Sequence, residues 1–238
     1  VNRAVAAAGV AAVCAALFAL LAATVAGRHG LPFPVDRSLH VWSVRHRPPW
    51  AATCARLLTA TGTWPLPYLG AVAAGLIAGR DARERRLAAI AALLFLLLAQ
   101  ATRYAALFLV HRPRPAPADW ATTATGYAFP SGHTTTSALV AGLLAWALYR
   151  TTRPAVARTG AALLVCWAVA VGLSRIYLGV HWPSDVIGGW LYALTWLAAG
   201  HAVLTHTART GTYPLQALPS GPRPKFERRS AGRYGALP

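Results

Sequence analysis

Residues 174–185 read Ser174-Arg175-Ile176-Tyr177-Leu178-Gly179-Val180-His181-Trp182-Pro183-Ser184-Asp185, and they lie between two long apolar runs. Pro183 fits the first turn of a helix, where its missing N–H costs nothing. A helix that starts there puts His181 at its mouth and Asp185 one turn in, on the same face. Asp185 then accepts from one ring nitrogen of His181 and leaves the other as a nucleophile. Arg175 contributes a charge that cannot be lost and a fork suited to phosphate oxygens. Arg, His and Asp are costly beside membrane-grade sequence, so this stretch reads as a functional site inside an all-α membrane bundle.

Composition supports the membrane reading. The 238 residues are 56% hydrophobic and 12% charged, about half the charged share of soluble domains. The formal charge of +17 comes from 23 basic and 6 acidic residues. The acids are Asp36, Asp81, Glu84, Asp119, Asp185 and Glu227. Magnesium and two-metal hydrolytic sites need clustered carboxylates, and these six form no cluster along the chain, so any hydrolysis is expected to be metal-independent and cofactor-free. The arginines cap apolar runs and form no single polar face. They read as loop charges and contacts to anionic lipid, with no nucleic-acid partner. Cys14, Cys54 and Cys166 have no metal or redox spacing.

A spanning helix needs about 20 mostly apolar residues. Residues 4–27 meet this as the first span, read as retained and not as a cleaved signal. Residues 29–56 carry Pro32, Pro34, Pro48 and Pro49, and within them Val35, Leu39 and Trp42 fall at helical spacing. That pattern predicts a short helix lying in the interface between the first two spans. The second span is expected within 57–79, starting near Pro65, and the third over 87–110. The fourth covers 130–149, the fifth 154–173 and the sixth 183–204. Residues 1–205 thus read as one membrane-embedded domain and 206–238 as a basic, flexible cytoplasmic tail. Six spans put both termini, the 80–86 turn and the 150–158 connector on one side, which the positive-inside rule makes cytoplasmic. The end of the third helix, the start of the fourth and the fifth–sixth junction then share the opposite face, so three polar clusters can meet there.

The second cluster is Gly126-Tyr127-Ala128-Phe129-Pro130-Ser131-Gly132-His133. Ser131 is placed to cap a helix, Gly132 allows close backbone approach, and free N–H groups at a helix start bind phosphate. His133 can donate a proton to a leaving oxygen. The third cluster, Arg112-Pro113-Arg114-Pro115, sets two guanidinium groups at a helix end.

Together the clusters resemble the type-2 phosphatidic acid phosphatase family, the lipid phosphate phosphatases, which are related to vanadate haloperoxidases. The family signature is Lys, six residues, Arg-Pro; then Pro-Ser-Gly-His; then Ser-Arg, five residues, His, three residues, Asp. The second and third motifs match in full at 130–133 and 174–185. The first matches in part. With Arg114-Pro115 as the signature pair the lysine position is Leu107, and with Arg112-Pro113 it is Ala105. Arg103 lies one turn before Leu107, about 6 Å deeper, and either snorkels to the site in place of the lysine or packs between helices.

The resemblance implies a phosphatase in which His181 attacks phosphorus to form a phosphohistidine and Asp185 orients it. His133 would protonate the leaving oxygen and then activate water. Arg114, Arg175, Ser131, Gly132 and Ser174, with Arg103 if it replaces the lysine, would hold the phosphoryl oxygens. Arg112 is read either as a site guanidinium or as a loop or headgroup contact, His111 and Asp119 as interfacial or loop groups, and Tyr177 and Trp182 as belt aromatics. The expected function is hydrolysis of a lipid phosphate or diphosphate at the outer face of the cytoplasmic membrane, with a polyprenyl diphosphate favoured over phosphatidic acid or phosphatidylglycerol phosphate. A non-enzymatic lipid-phosphate binder or transporter, motivated by the missing lysine, and a vanadate-dependent haloperoxidase-like oxidoreductase are the competing readings.

Overall fold

The computed structural model of the chain describes residues 3–210. Among these the fold is all helical, with α1 (Arg3–Gly27), α2 (Pro34–Arg45), α3 (Pro49–Ala60), α4 (Leu66–Ala78), α5 (Ala82–Val110), α6 (Gly132–Thr151), α7 (Pro154–Tyr177) and α8 (Pro183–Thr210). A single 3-10 turn, Pro117–Asp119, interrupts the loop between α5 and α6. Proline sets several starts: it stands in the first turn of α2, α3, α4 and α7 and opens α8. α5 begins on Asp81, whose carboxylate accepts from the Arg83 and Glu84 N–H groups.

Four helices, α1, α5, α7 and α8, are long and apolar enough to cross a membrane. The other two expected spans differ from that standard. α4 has 13 residues, about 20 Å of helix, because α3 takes up residues to Ala60 and the chain turns before Leu66. α6 has 20 residues, but its first turns hold Thr134, Thr135, Thr136 and Ser137, all buried. α8 runs five residues past the boundary expected at 205, and the rest of the expected tail lies outside the described residues.

Polarity is arranged inside out. Large apolar side chains such as Leu94, Leu98, Leu109, Leu163 and Val203 are exposed, while Arg103, Arg112, Ser131, Arg175 and Asp185 are buried. Lipid makes the outward Leu and Val faces favourable and leaves polar groups only the bundle interior. Helix contacts use small residues: Ala71, Ala74, Ala78, Ala89, Ala92 and Ala99 are buried where α4 and α5 meet their neighbours, which lets backbones approach. α1 packs on α8, α6 on α7, α4 and α8, and α3 on α7.

The interfacial helix shows the same inversion. Val35, Leu39 and Trp42 face outward, whereas Asp36, His40 and Ser43 on the other side are buried. α2 packs against α7 and α8, so its polar stripe is pressed on the end of the bundle that carries the motifs.

Candidate active site

The three clusters meet. The Ser131 N–H donates to Asp185 O over 3.1 Å and the Ala128 N–H to Arg112 O over 2.8 Å, tying the start of α6 both to α8 and to the segment after α5. Gly179, at φ +76°, turns the chain out of α7 and delivers His181 to the start of α8. Asp185 sits in the first turn of α8, and its Oδ2 accepts the Trp182 N–H at 2.8 Å, as a capping-box acid does. The same Oδ2 also faces His181, whose Nδ1 is 3.3 Å away.

His181 is 2% exposed, and its second ring nitrogen, Nε2, lies 2.8 Å from Arg114 Nη1. A guanidinium only donates, so Nε2 must be the accepting, unprotonated nitrogen. Nδ1 then carries the proton and gives it to Asp185. The network thus assigns one tautomer, with the lone pair on the Arg114 side. Burial first, and then the Arg114 and Arg175 charges, hold this imidazole well below its ordinary value of 6.5. Arg114 is further fixed by the carbonyls of Gly126, Thr125 and Val180 at 2.9–3.0 Å. Its guanidinium is lowered by burial, with Asp185 opposing and Arg103 adding to the shift.

His133 stands within electrostatic reach of Arg175, His181, Arg114 and Arg103. Arg175 is 3% exposed; its Nη1 donates to Thr59 Oγ1 at 3.0 Å, and its buried Nε has no partner. Arg103 is also buried, not solvated at the helix surface. Its Nε donates to Gln100 Oε1 at 2.8 Å, and its guanidinium lies flat against Gly132. A Cβ on residue 132 would stand 3.3 Å from Arg103 Cζ, tighter than side chains normally pack, so a larger residue there would push this guanidinium back by a few tenths of an ångström.

Two hydroxyls behave differently from expectation. Ser131 does not cap α6 with its side chain; its Oγ accepts from Thr134 Oγ1 at 2.9 Å. Ser174 Oγ donates to Val171 O at 2.6 Å, which commits its only proton within α7.

Of the two readings of Arg112, the structure excludes the loop or headgroup contact. It is 0% exposed. Nη1 donates to Asp185 Oδ1 at 2.6 Å and to Ser184 Oγ at 2.7 Å, and Nη2 donates to Asp36 Oδ2 at 2.7 Å. The two arginines of the Arg-Pro-Arg-Pro stretch therefore end on the two members of the His181–Asp185 pair. Breaking a buried ion pair by removing one partner costs about 3–5 kcal/mol, so this cluster also fastens α2 to α8. Trp182 shares in the same fastening: its indole N–H donates to Pro113 O at 3.1 Å. Asp119, read as idle, pairs with His40 Nε2 at 2.9 Å, and Arg47 holds its carbonyl at 2.8 Å, pinning the α5–α6 loop to α2.

Sequence reasoning missed Asp36, Gln100 and Thr59. A signal existed for Asp36 alone, since it is one of only six acids and stands on the face of α2 opposite its apolar stripe. Nothing local marks Gln100 or Thr59.

An inside-out helical bundle with arginines and histidines gathered at one buried end defines an integral membrane protein with a cationic site. The chain belongs to the PAP2 superfamily, whose model matches residues 5–209. It is 44% identical over 84 residues to phosphatidylglycerophosphatase B of Escherichia coli strain K12, covering 31% of this chain and 30% of that protein. It is 36% identical over 144 residues to decaprenylphosphoryl-5-phosphoribose phosphatase of Mycolicibacterium smegmatis, covering 59% of this chain and 72% of that protein. It is 40% identical over 74 residues to undecaprenyl-diphosphatase of Sulfolobus acidocaldarius, covering 31% of this chain and 32% of that protein. The match thus spans under a third of the first of these relatives. Among solved structures, the transmembrane PAP2-type phosphatidylglycerolphosphate phosphatase of Bacillus subtilis superposes with a TM-score of 0.66 at 24% identity, over 86% of this chain and 98% of that one. At that identity the likeness speaks for the fold.

Proposed function

We propose that the chain is a membrane phosphatase that hydrolyses a lipid phosphate or diphosphate through a phosphohistidine on His181. The observation that carries this reading is the buried His181 ring held at both nitrogens, Nε2 at 2.8 Å from Arg114 Nη1 and Nδ1 at 3.3 Å from Asp185 Oδ2. A neutral imidazole lone pair among guanidinium groups suits attack on an anionic phosphorus centre, because the cations hold the substrate and the charge that builds on its oxygens.

In the proposed reaction, a phosphoryl group arriving at Nε2 displaces the Arg114 contact and takes that guanidinium on its own oxygens. Nε2 bonds to phosphorus as the bond to the leaving oxygen breaks. His133 gives its proton to that oxygen, then takes one from the water that cleaves the phosphohistidine and releases phosphate. Asp185 stabilises the imidazolium formed in between. Arg175, whose Nε lacks a partner, and the N–H groups at the start of α6 complete the oxyanion contacts. No step needs a metal.

The basic 80–86 and 150–158 segments lie at helix ends remote from the motifs, which supports a site on the outer side of the cytoplasmic membrane. Polyprenyl diphosphate remains the favoured substrate. Two relatives named for polyprenyl-linked substrates support a polyprenyl carrier, and one named for phosphatidylglycerophosphate sets the competing lipid. The test is phosphate release by purified protein in detergent, with excess chelator, from polyprenyl diphosphate, a polyprenyl-linked sugar phosphate, phosphatidic acid and phosphatidylglycerol phosphate. Chelator-resistant release is expected. Folded protein that binds these lipids but releases no phosphate would move the reading to a binder.

Arg103 is proposed as the phosphate ligand that replaces the signature lysine. Arg103→Ala is expected to lower kcat/KM about 100-fold and Gly132→Ala about 10-fold, the scale of lost or misdirected charged hydrogen bonds. Steady-state kinetics checks this alongside thermal midpoints. Wild-type kcat/KM in Arg103→Ala would return that arginine to helix packing.

A further inference from the structure

We propose that Asp36 is a positioning residue for the reaction: through Arg112 it fixes the Asp185 carboxylate that orients His181. The proposal rests on the phosphatase reading above and extends it to a residue outside all three motifs.

The geometry is a buried chain of contacts with no slack. Asp36 Oδ2 accepts from Arg112 Nη2 at 2.7 Å, from Ser184 Oγ at 2.6 Å and from its own helix's Phe33 N–H at 3.1 Å. Asp36 Oδ1 accepts the Ser184 N–H at 2.9 Å. Arg112 passes the connection on to Asp185 Oδ1, and its Nε is held by Gly30 O at 3.3 Å. Asp36, Arg112 and Asp185 are all 0% exposed. Asp185 is thus gripped on Oδ1 by Arg112 and on Oδ2 by the Trp182 N–H and His181, which leaves the carboxylate no freedom to rotate away from the imidazole.

Charge explains why an acid stands at residue 36. Helix capping alone would be met by a neutral acceptor such as Asn or Ser. Here two carboxylates share one guanidinium, so the group carries a net negative charge facing a positive pocket. The charged and titratable groups around His181 are Arg114 from the loop, Arg175 from α7, Arg103 from α5, His133 from α6 and Asp185 from α8. With Asp36 neutral, Arg112 would bear on Asp185 alone. The carboxylate would be drawn toward the guanidinium and would orient and stabilise the His181 imidazolium less well.

The test is Asp36→Asn in the full chain, alone and combined with Asp185→Asn, with kcat and KM measured from low to high pH. Expected are a kcat loss of about 10- to 100-fold, up to the scale for a reacting group misplaced by a remote change, with KM within about twofold. The acid limb of kcat should move to lower pH, because removing a negative charge disfavours the imidazolium. In the Asp185→Asn background the same change should cost nothing further. Unchanged kcat, an unmoved limb, or full additivity would overturn the proposal. A readout free of turnover is 15N NMR of histidine-labelled protein. The His181 Nδ1–H tautomer should dominate in the wild type and become mixed in Asp36→Asn, and an unchanged tautomer would overturn the role even if no lipid is hydrolysed. If Asp36→Asn does not fold, Asp36→Glu keeps the charge but shifts it by one methylene. It should lower kcat with the acid limb in place, and a wild-type kcat would overturn the proposal. Absence of phosphate release by the folded wild type would instead count against the phosphatase reading.

Discussion

His181→Ala is expected to remove phosphate release by about four to six orders of magnitude, the scale seen when a covalent nucleophile is deleted. Water bound in the same pocket would still feel Arg114, Arg175 and Arg103, so a small residual rate is allowed, but no phosphoenzyme can form. The trapped intermediate provides the sharper check. Acid cleaves a phosphoramidate and base leaves it intact, whereas base cleaves a carboxyl phosphate, so a labelled lipid phosphate should leave an acid-labile, base-stable label on the wild type and none on the variant. The fold should survive, because Asp185 keeps Arg112 and the Trp182 N–H as partners. Turnover unchanged in His181→Ala would remove the proposed nucleophile. The pH dependence follows from the same environment. Burial and the Arg114 and Arg175 charges lower the imidazole, so His181 stays neutral and competent below its ordinary range. The acid limb of kcat/KM, which reports the free enzyme, is expected below pH 6.5.

His133→Ala is expected to cost about 100- to 10,000-fold in kcat for an alkyl phosphate ester, the usual worth of a positioned general acid. The size of the loss should depend on the leaving group. An alkoxide needs the proton badly; an aryl phosphate departs nearly unaided. The variant should therefore lose far more activity on phosphatidylglycerol phosphate than on p-nitrophenyl phosphate. Equal losses on both substrates would assign His133 to phosphate binding, and a wild-type rate would remove it from the reaction.

Much of this was legible from local pattern. His181, Pro183 and Asp185 are joined by helix geometry, and a proline at the first helical position with an acid in the first turn defines their relation without any tertiary knowledge. The apolar runs gave α1, α5, α7 and α8 close to their observed limits. The run at 57–79 was harder, because hydropathy does not register a break inside an apolar stretch, and the chain there divides between α3 and α4. Ser131 and Ser174 show another limit. A serine's local position does not say whether its single proton turns outward or back to the helix, as Ser174 does toward Val171.

The sequence by itself determined the membrane class, the helical architecture and the helix ends at which the three motif clusters stand, because hydropathy and helix period are local properties. Only the tertiary structure decided which partners the buried charges take. Arg112 and Arg114 are two residues apart and chemically identical, yet one ends on Asp36 and Asp185 and the other on His181. Asp36 and Ser184 are 148 residues apart, and no local rule connects them. A buried charge must find an opposite charge or a hydrogen-bonding partner wherever packing brings one within about 3 Å, and that distance is set by how α2, α5 and α8 come together and not by the order of residues along the chain.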